Sequence, residues 1–323
     1  MQNEIANCSL APIVLFTFAR PRHTKLVLDA LSKCDLAMDS KLYIHQDFPR
    51  NNAEENAASE FQACYQTIEN KFASVEIVKQ SENLGCDRSM LWMMDYIFKK
   101  YEKVIVLEDD DVPSIDFLKY MNFCLDKYES DKTISGISGY CPPINIVEDY
   151  EYEVFKSPRG ASWGWGTWKS EWNDIDWKAT KYKQFKHSFS SRRSFAKGGE
   201  DMFPLLKHAI ENKEFPHWDI IRCFDMFNKD KYFLFPVKSY VKNIGFDGSG
   251  TNCNSSTKYE VDLIKRECDW NNFPKTLDIE PRIVRSFHDF YSYSKDDGYI
   301  VSALKYIGLF DTALEFKCKF LKK

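Results

Sequence analysis

The feature that most constrains this chain is a short apolar run that ends in four consecutive acids, Val104-Ile-Val-Leu107 followed by Glu108-Asp109-Asp110-Asp111. A run of β-branched and aliphatic residues of that length reads as a strand buried on both faces. The acids then stand together at its tip, where their mutual repulsion is costly without a cation nearby. A hard divalent ion, Mn2+ or Mg2+, suits that cluster, because such ions are held by one or two carboxylates and keep positions open for a substrate diphosphate. Bound there, the ion neutralises charge growing on a leaving nucleoside diphosphate. Taken alone, the tetrad can also be an ordinary solvated acidic turn, a reading that the apolar strand before it weakens.

The surrounding pattern places that strand in a sheet. Ile13-Val-Leu-Phe-Thr-Phe18 reads as a first strand, stopped at Ala19-Arg20-Pro21, and Leu26, Val27, Ala30 and Leu31 recur at helical spacing between Arg22 and Ser32. Lys41–His45 and Val75–Val78 read as second and third strands. After Asn83-Leu84-Gly85 a helix carries Met90, Leu91, Met94, Ile97 and Phe98 on one stripe. Beyond Val112-Pro113, Ser114 is placed to cap a helix with Phe117, Leu118, Met121 and Leu125 inward. Strands alternating with helices to about residue 140 predict an α/β fold, a mostly parallel sheet with helices on both faces and ligands at the carboxyl ends of its strands.

Past Tyr140 the sequence turns aromatic and loop-rich: Arg159-Gly-Ala-Ser-Trp-Gly-Trp-Gly-Thr-Trp168, then Trp172 and Trp177. Trp163, Trp165, Trp168, Trp172 and Trp218 offer flat apolar faces that can stack on sugar rings, or they fill the core. Gly245-Phe-Asp-Gly-Ser-Gly-Thr-Asn252 is either a lid over a bound donor or an exposed turn. From Tyr299 to Lys323, Leu304, Ile307, Phe310 and Leu314 alternate with Lys305, Lys317, Lys319 and Lys322. That stretch predicts amphipathic helix, packed on the domain or touching a membrane surface.

Composition narrows the partners. A 44 % hydrophobic and 15 % aromatic chain of 323 residues buries a large core, so disorder is excluded as a general description. The formal charge of −4 leaves no basic surplus for a phosphate backbone, and no nucleic acid partner is expected. The cysteines include no CxxC pair, and the six histidines, His23 and His45 among them, make no ligand spacing. Reduced thiols and a cytoplasmic placement are expected, with peripheral contact to the membrane's cytoplasmic face through the basic C-terminal helix as a further option. Met1 to Ala11 carries Glu4 and is not expected to be a signal peptide. No GxxxxGK[ST] occurs, and Gly164-Trp-Gly166 runs into Thr167-Trp168 without the spacing of a dinucleotide turn.

Taken in order, Pro12-Ile-Val-Leu-Phe-Thr-Phe-Ala-Arg20, Ile44-His-Gln-Asp47, Asn83-Leu-Gly85, Val106-Leu-Glu-Asp-Asp110, Trp163-Gly-Trp-Gly-Thr-Trp-Lys-Ser-Glu-Trp172, Trp218-Asp219 and Asn243-Ile-Gly245 resemble the GT-A glycosyltransferases. The nearest resemblance is to the N-acetylglucosaminyltransferase I-like enzymes and bacterial surface-polysaccharide glycosyltransferases, over roughly residues 12 to 252. It implies a GT-A domain over 10–255, with a nucleotide-sugar-binding half (10–140) and an acceptor-binding half (141–255), and a C-terminal helical extension over 256–323. It implies metal binding by Asp110, donor contacts from Glu108 and Asp109, and nucleoside contacts from Arg20 and Asp47. Ala19 stands where relatives place Asp. Asn83 and Gly85 either touch the donor or form a helix-entry turn, and Arg88 is one turn on, within reach of a phosphate.

An inverting transfer needs a carboxylate to take the acceptor hydroxyl's proton. The resemblance points to Asp219; because Ile220 replaces a second acid there, Glu171 and Asp225 stay as alternatives. The implied activity is metal-dependent transfer of a sugar from a nucleotide-diphosphate donor, a UDP-sugar such as UDP-N-acetylglucosamine, to a hydroxyl of a glycan or lipid-linked glycan. The implied context is bacterial capsule, lipopolysaccharide or related polysaccharide assembly. A metal-dependent nucleotidyl or phosphoryl transferase and a non-catalytic carbohydrate-binding protein are the competing readings.

Overall fold

The computed structural model describes residues 9–212, 218–249, 255–265 and 268–292. Its strands are β1 (Ile13–Thr17), β2 (Lys41–Gln46), β3 (Ser74–Lys79), β4 (Lys103–Glu108), β5 (Asp111–Pro113), β6 (Ile134–Ser138), β7 (Val154–Ser157), β8 (Trp165–Trp168), β9 (Tyr232–Pro236) and β10 (Val241–Asn243). The helices are α1 (Pro21–Leu31), α2 (Asn52–Gln66), α3 (Gly85–Phe98), α4 (Phe117–Lys127), α5 (Lys169–Asn173), α6 (Tyr182–Phe185), α7 (Phe189–Phe195), α8 (Met202–Glu211), α9 (Trp218–Asn228) and α10 (Pro281–Phe290).

Eight strands form one sheet in the order β3-β2-β1-β4-β8-β6-β9-β7, and β10 pairs with β5 in a two-stranded ribbon. In the large sheet only β8 and β7 run against the other strands. The expected α/β class, mostly parallel with helices on both faces, is what the chain adopts.

The central strands are continuously apolar because both faces are covered. In β4, Ile105 and Leu107 join the core under α1, α2 and α4, whereas Val104 and Val106 join the core under α3, α9 and α10. That alternation is the period of two of an extended chain. Each such side chain withdrawn from water contributes about 1.5–3 kcal/mol. A third, smaller cluster packs α6, α7 and α8 against α9 through Tyr182, Phe185, Phe195, Leu206 and Phe224.

The β1-α1-β2-α2-β3 stretch steps outward along the sheet, and after α3 the chain returns to place β4 on the far side of β1. Strand order therefore reverses between β1 and β4. A crevice opens at such a reversal, outside the carboxyl ends of the two strands. Phe16 is paired with Glu108 at that edge, which puts Arg20 and the acidic tetrad on the same rim.

Two local expectations fail. Leu26 is 55 % exposed while Thr24, Val27, Leu28 and Leu31 are buried, so the buried stripe of α1 includes a threonine in its place. Ser114 does not cap α4, which starts beyond Asp116; its hydroxyl is buried without a partner and its carbonyl accepts the Phe117 N–H at 3.2 Å. Toward the C-terminus Phe273 and Leu277 enter one core and Ile283 and Phe287 the other. Between 255 and 292 the described chain contains one helix, α10. The amphipathic stretch Tyr299–Lys323 lies outside the described residues. Among the described residues no helix is long and apolar enough to cross a membrane.

Candidate functional site

The crevice between β1 and β4 is built around one cation and two acids. Leaving β1, the chain passes through Ala19 at φ +51°, a left-handed conformation that side-chain-bearing residues adopt at a cost. The bend delivers Arg20 just before Pro21 opens α1. The Arg20 guanidinium donates from Nη2 to Asp109 Oδ1, from Nε to Asp109 Oδ2 at 3.3 Å, and from Nη2 to Asp110 Oδ2 at 2.7 Å. The Phe18 N–H also donates to Asp109 Oδ2, at 3.3 Å. Burial works against the Arg20 charge, but Asp109 and Asp110 outweigh it and hold the guanidinium above its ordinary range. The Asp109 carboxyl is pushed up to about 6 by burial, against the pull of Arg20 and with the repulsion of Asp110.

Asp110 is held from the other side by the β5–β10 ribbon. Pairing of Asn243 with Asp111 brings Asn243 Nδ2 to 2.9 Å from Asp110 Oδ1 and 3.2 Å from Asp111 Oδ1. Asn243 Oδ1 accepts the Gly245 N–H at 2.8 Å, and Ile244 N–H donates to the Asp110 carbonyl at 2.9 Å. A Cβ on Gly245 would overlap the Asp110 carboxylate, so glycine lets the chain pack directly against that group.

The four acids thus divide their work. Asp111 is fully buried and accepts the N–H groups of Glu108 at 3.0 Å and Gly164 at 2.9 Å, which closes the turn after β4. Asp109 and Asp110 face Arg20. Glu108 ends β4; burial first, then the repulsion of Asp110 and Asp111, pushes its carboxyl well above the ordinary range.

Beside this tip stands the start of α3. Asp47, at the end of β2, accepts the N–H groups of Phe48 and Leu84 at Oδ1 and of Gly85 at Oδ2, each at 2.9 Å. Asn83 Nδ2 donates to the Phe48 carbonyl at 2.6 Å, and Arg88 donates to the carbonyls of Leu84 and Asn83 at 2.8 and 2.9 Å. All three side chains spend hydrogen bonds on shaping the loop. Gly85 adopts φ +71° with open space facing its α-carbon, so of this group it leaves room for an approaching ligand.

From the third side, α9 brings Asp219 to the crevice in its first turn, exposed to solvent. The Trp218 N–H donates to Asp87 Oδ2 at 3.2 Å. Asp87 is pushed up to about 7 by burial and by the neighbouring Asp219, against the Trp218 hydrogen bond. Cys86 is exposed at the first turn of α3, and the carboxylates of Glu108, Asp87, Asp219 and Asp47 all act on its thiol, so the four converge there. Asp87 escaped the sequence analysis, because an acid in a helix's first turn is common and its partner lies 131 residues away.

Several expected site residues stand elsewhere. Glu171 is removed from the crevice: β8 is antiparallel to β4, Trp168 pairs with Lys103, and α5 therefore starts at the opposite edge of the sheet. There Glu171 Oε2 binds Lys231 Nζ at 2.6 Å. Asp225 lies in the same group, accepting from Asp176 N–H and Lys229 Nζ at 3.0 Å each. Trp165, Trp168 and Trp218 are 0 %, 3 % and 4 % exposed and offer no face to a sugar. A strand covered on both sides has no outer face, so Trp165 stacks on Trp218 and Trp172, and Trp168 Nε1 donates to the Leu125 carbonyl at 3.0 Å. Trp163 stays partly exposed at the crevice edge, ringed by Tyr140, Phe246 and Tyr259. His217 and the distal part of the 245–252 loop lie outside the described residues; within them, Asp247 Oδ2 is 3.1 Å from His23 Nε2.

The residues present fit a hard divalent ion held sparingly. Among the described residues no group of three His, Cys, Asp or Glu side chains forms a ready cage. Asp110 packs against Gly245 and its oxygens are hard donors, Oδ1 held by Asn243 and Oδ2 by the Arg20 guanidinium, which already stands as a cation between Asp109 and Asp110. Mg2+ and Mn2+ sites of this kind take one or two carboxylates and complete themselves with water and substrate phosphate.

No family model matches this chain, and no curated protein matches its sequence. Among solved structures, a fragment of Staphylococcus aureus TarS (residues 1–349) aligns at 12 % identity over 72 % of this chain and 59 % of that chain, with a TM-score of 0.42. A mannosyltransferase from Pyrobaculum calidifontis, solved with GDP-Man and Mn2+, aligns at 13 % identity over 52 % of this chain and 50 % of that one, with a TM-score of 0.36. Glucosyl-3-phosphoglycerate synthase from Mycobacterium tuberculosis, solved with Mn2+, UDP and phosphoglyceric acid, aligns at 10 % identity over 42 % and 44 % of the two chains, with a TM-score of 0.29. This chain spans 59 %, 50 % and 44 % of the lengths of those proteins. The residue roles accordingly rest on the geometry of the crevice.

Proposed function

We propose that this protein is a metal-dependent glycosyltransferase that moves a sugar from a nucleotide-diphosphate donor to a hydroxyl of a glycan acceptor. The observation that carries the reading is the meeting of Arg20, Asp109 and Asp110 at the reversal between β1 and β4, with Gly245 packed against the Asp110 carboxylate. A crevice at the carboxyl ends of such strands is where α/β proteins bind nucleotides. Asp110 would hold the ion, whose contribution when bound is to neutralise charge on the leaving diphosphate.

The chain's own groups divide the remaining work. Arg20, always protonated and held through Nε and Nη2 by Asp109 and Asp110, offers Nη1 to a phosphate oxygen. Glu108 and Asp109 border the donor sugar, and Gly85 leaves the loop before α3 open to it. Asp219, exposed on the first turn of α9, takes the proton from the attacking hydroxyl. Trp163 supports the acceptor's apolar face. A UDP-sugar donor, with UDP-N-acetylglucosamine as the first to test, a lipid-linked glycan acceptor and a role in bacterial surface-polysaccharide assembly in the cytoplasm belong to this proposal through the resemblance.

The test is release of nucleoside diphosphate by purified protein from a panel of nucleotide sugars, with Mn2+, Mg2+ or EDTA. Metal-dependent release from one donor, lost in Asp110→Ala, supports the reading and identifies the sugar. Release of pyrophosphate or inorganic phosphate instead would assign nucleotidyl or phosphoryl transfer. Glycan binding without any turnover, unchanged in Asp110→Ala and Asp219→Ala, would leave a binding protein.

A further inference from the structure

We propose that Asp87 is a positioning residue: standing on the first turn of α3, it accepts the N–H that opens α9 and thereby sets Asp219 beside the acidic tip. The inference rests on Asp219 acting as the base. Its geometry is independent of that role. The first N–H groups of a helix lack intrahelical acceptors, and a carboxylate is the strongest neutral-pH partner for one of them. Here the carboxylate belongs to another helix: Asp87 Oδ2 lies 3.2 Å from Trp218 N, across 131 residues of sequence. Trp218 is itself anchored in the core with Met90, Met94 and Trp165, so the contact ties two packed elements at their rims.

The position carries an electrostatic load that a purely structural cap would avoid. Facing Asp87 from α9 are the Asp219 carboxylate and the Trp218 N–H; on its own turn is Cys86, with Glu108 of β4 and Asp47 of β2 beyond it. The Arg88 guanidinium is turned to the Asn83 and Leu84 carbonyls. Two carboxylates this near cannot both ionise freely, and burial with the Asp219 repulsion holds Asp87 up to about 7. Ionising Asp87 places a second negative charge beside Asp219 at the crevice rim.

The experiment compares wild type, Asp87→Asn and Asp87→Ala in steady-state donor turnover from acid to mild alkali, together with hydrogen exchange of the amides at the start of α9. Asparagine keeps an oxygen acceptor and removes the charge. Wild type is expected to show a rise of kcat near pH 7, and Asp87→Asn is expected to lose that rise while retaining exchange protection and donor KM. Asp87→Ala is expected to lose protection at Trp218 and about 10- to 100-fold in kcat, with donor KM little changed, as displacement of a reacting group does. Wild-type kcat and protection in Asp87→Ala would overturn the inference, and so would a wild-type pH profile in Asp87→Asn. If wild type turns over no nucleotide sugar, the functional reading fails; protection at Trp218 in Asp87→Ala then sinks the docking contact by itself.

Discussion

Gly245 lies so close to the Asp110 carboxylate that a Cβ at position 245 would overlap its Oδ2. The approach is enforced from both sides, since Asn243 binds both the Asp110 carboxylate and the Gly245 N–H. Gly245→Ala is therefore expected to turn the Asp110 carboxylate away from the crevice. Because the displaced carboxylate gives up its bonds to Arg20 and Asn243, Tm should fall, and divalent-dependent turnover should drop by about 10-fold or more. Metal titration of turnover beside a melting curve checks this; full activity in Gly245→Ala would remove Asp110 from the metal role.

Arg20 is the cation already present between Asp109 and Asp110, and its removal exposes their repulsion. Breaking a buried pair by deleting one partner costs about 3–5 kcal/mol, and the 19 % exposure of the Arg20 side chain reduces that toward about 2 kcal/mol. Arg20→Met should melt lower without divalent ions and recover more than wild type when Mn2+ is added, because the ion then supplies the missing positive charge. Equal Mn2+ stabilisation of the two proteins would show that the ion does not bind at these carboxylates.

Ala19 stores strain at the exit of β1, at φ +51°. A β-branched side chain is far less tolerant of that conformation, so Ala19→Val should cost about 1–3 kcal/mol. Ala19→Gly should be close to neutral, since relief of strain is offset by the greater freedom of glycine in the unfolded chain. Chemical denaturation of the two variants measures the difference; equal stability would mean that the bend relaxes when the residue is changed.

Elements whose burial is decided locally were readable in the sequence. The strands around Ile13–Thr17, Lys41–Gln46 and Lys103–Glu108 announce themselves because both faces are covered and their central positions run apolar without a break. The acidic tip followed, since a charged run after such a strand has one place to go. What escaped depends on pairings far apart in the chain. Nothing local says that β8 runs antiparallel, yet that direction carries Glu171 to the opposite edge and buries Trp165 and Trp168. Asp47 and Arg88 have the residue types of ligand contacts, but each satisfies the loop before α3. Asp87 holds Trp218, and Asn243 holds Asp110 and Asp111, across more than a hundred residues of sequence.

His45 gives the fold an acid-side weakness of determinate sign. It is 1 % exposed on β2, between the rings of Phe16 and Trp92, with Nε2 3.2 Å from Gln80 Nε2. Burial lowers it to about 4 from 6.5, against the pull of Asp47. The unfolded chain binds this proton at a higher pH than the folded one. The contribution of neutral His45 is thus complete above about pH 6.5 and is lost as pH falls toward 4. Its full extent is on the order of 3 kcal/mol. Asp87 and Asp109 act in the opposite direction, because their raised values make the folded chain hold protons that the unfolded chain has released. The His45 contribution is isolated by comparing wild type with His45→Phe across the same buffers. Stability of His45→Phe should fall less between pH 6.5 and 4, and parallel curves would show that His45 is protonated in the fold without penalty.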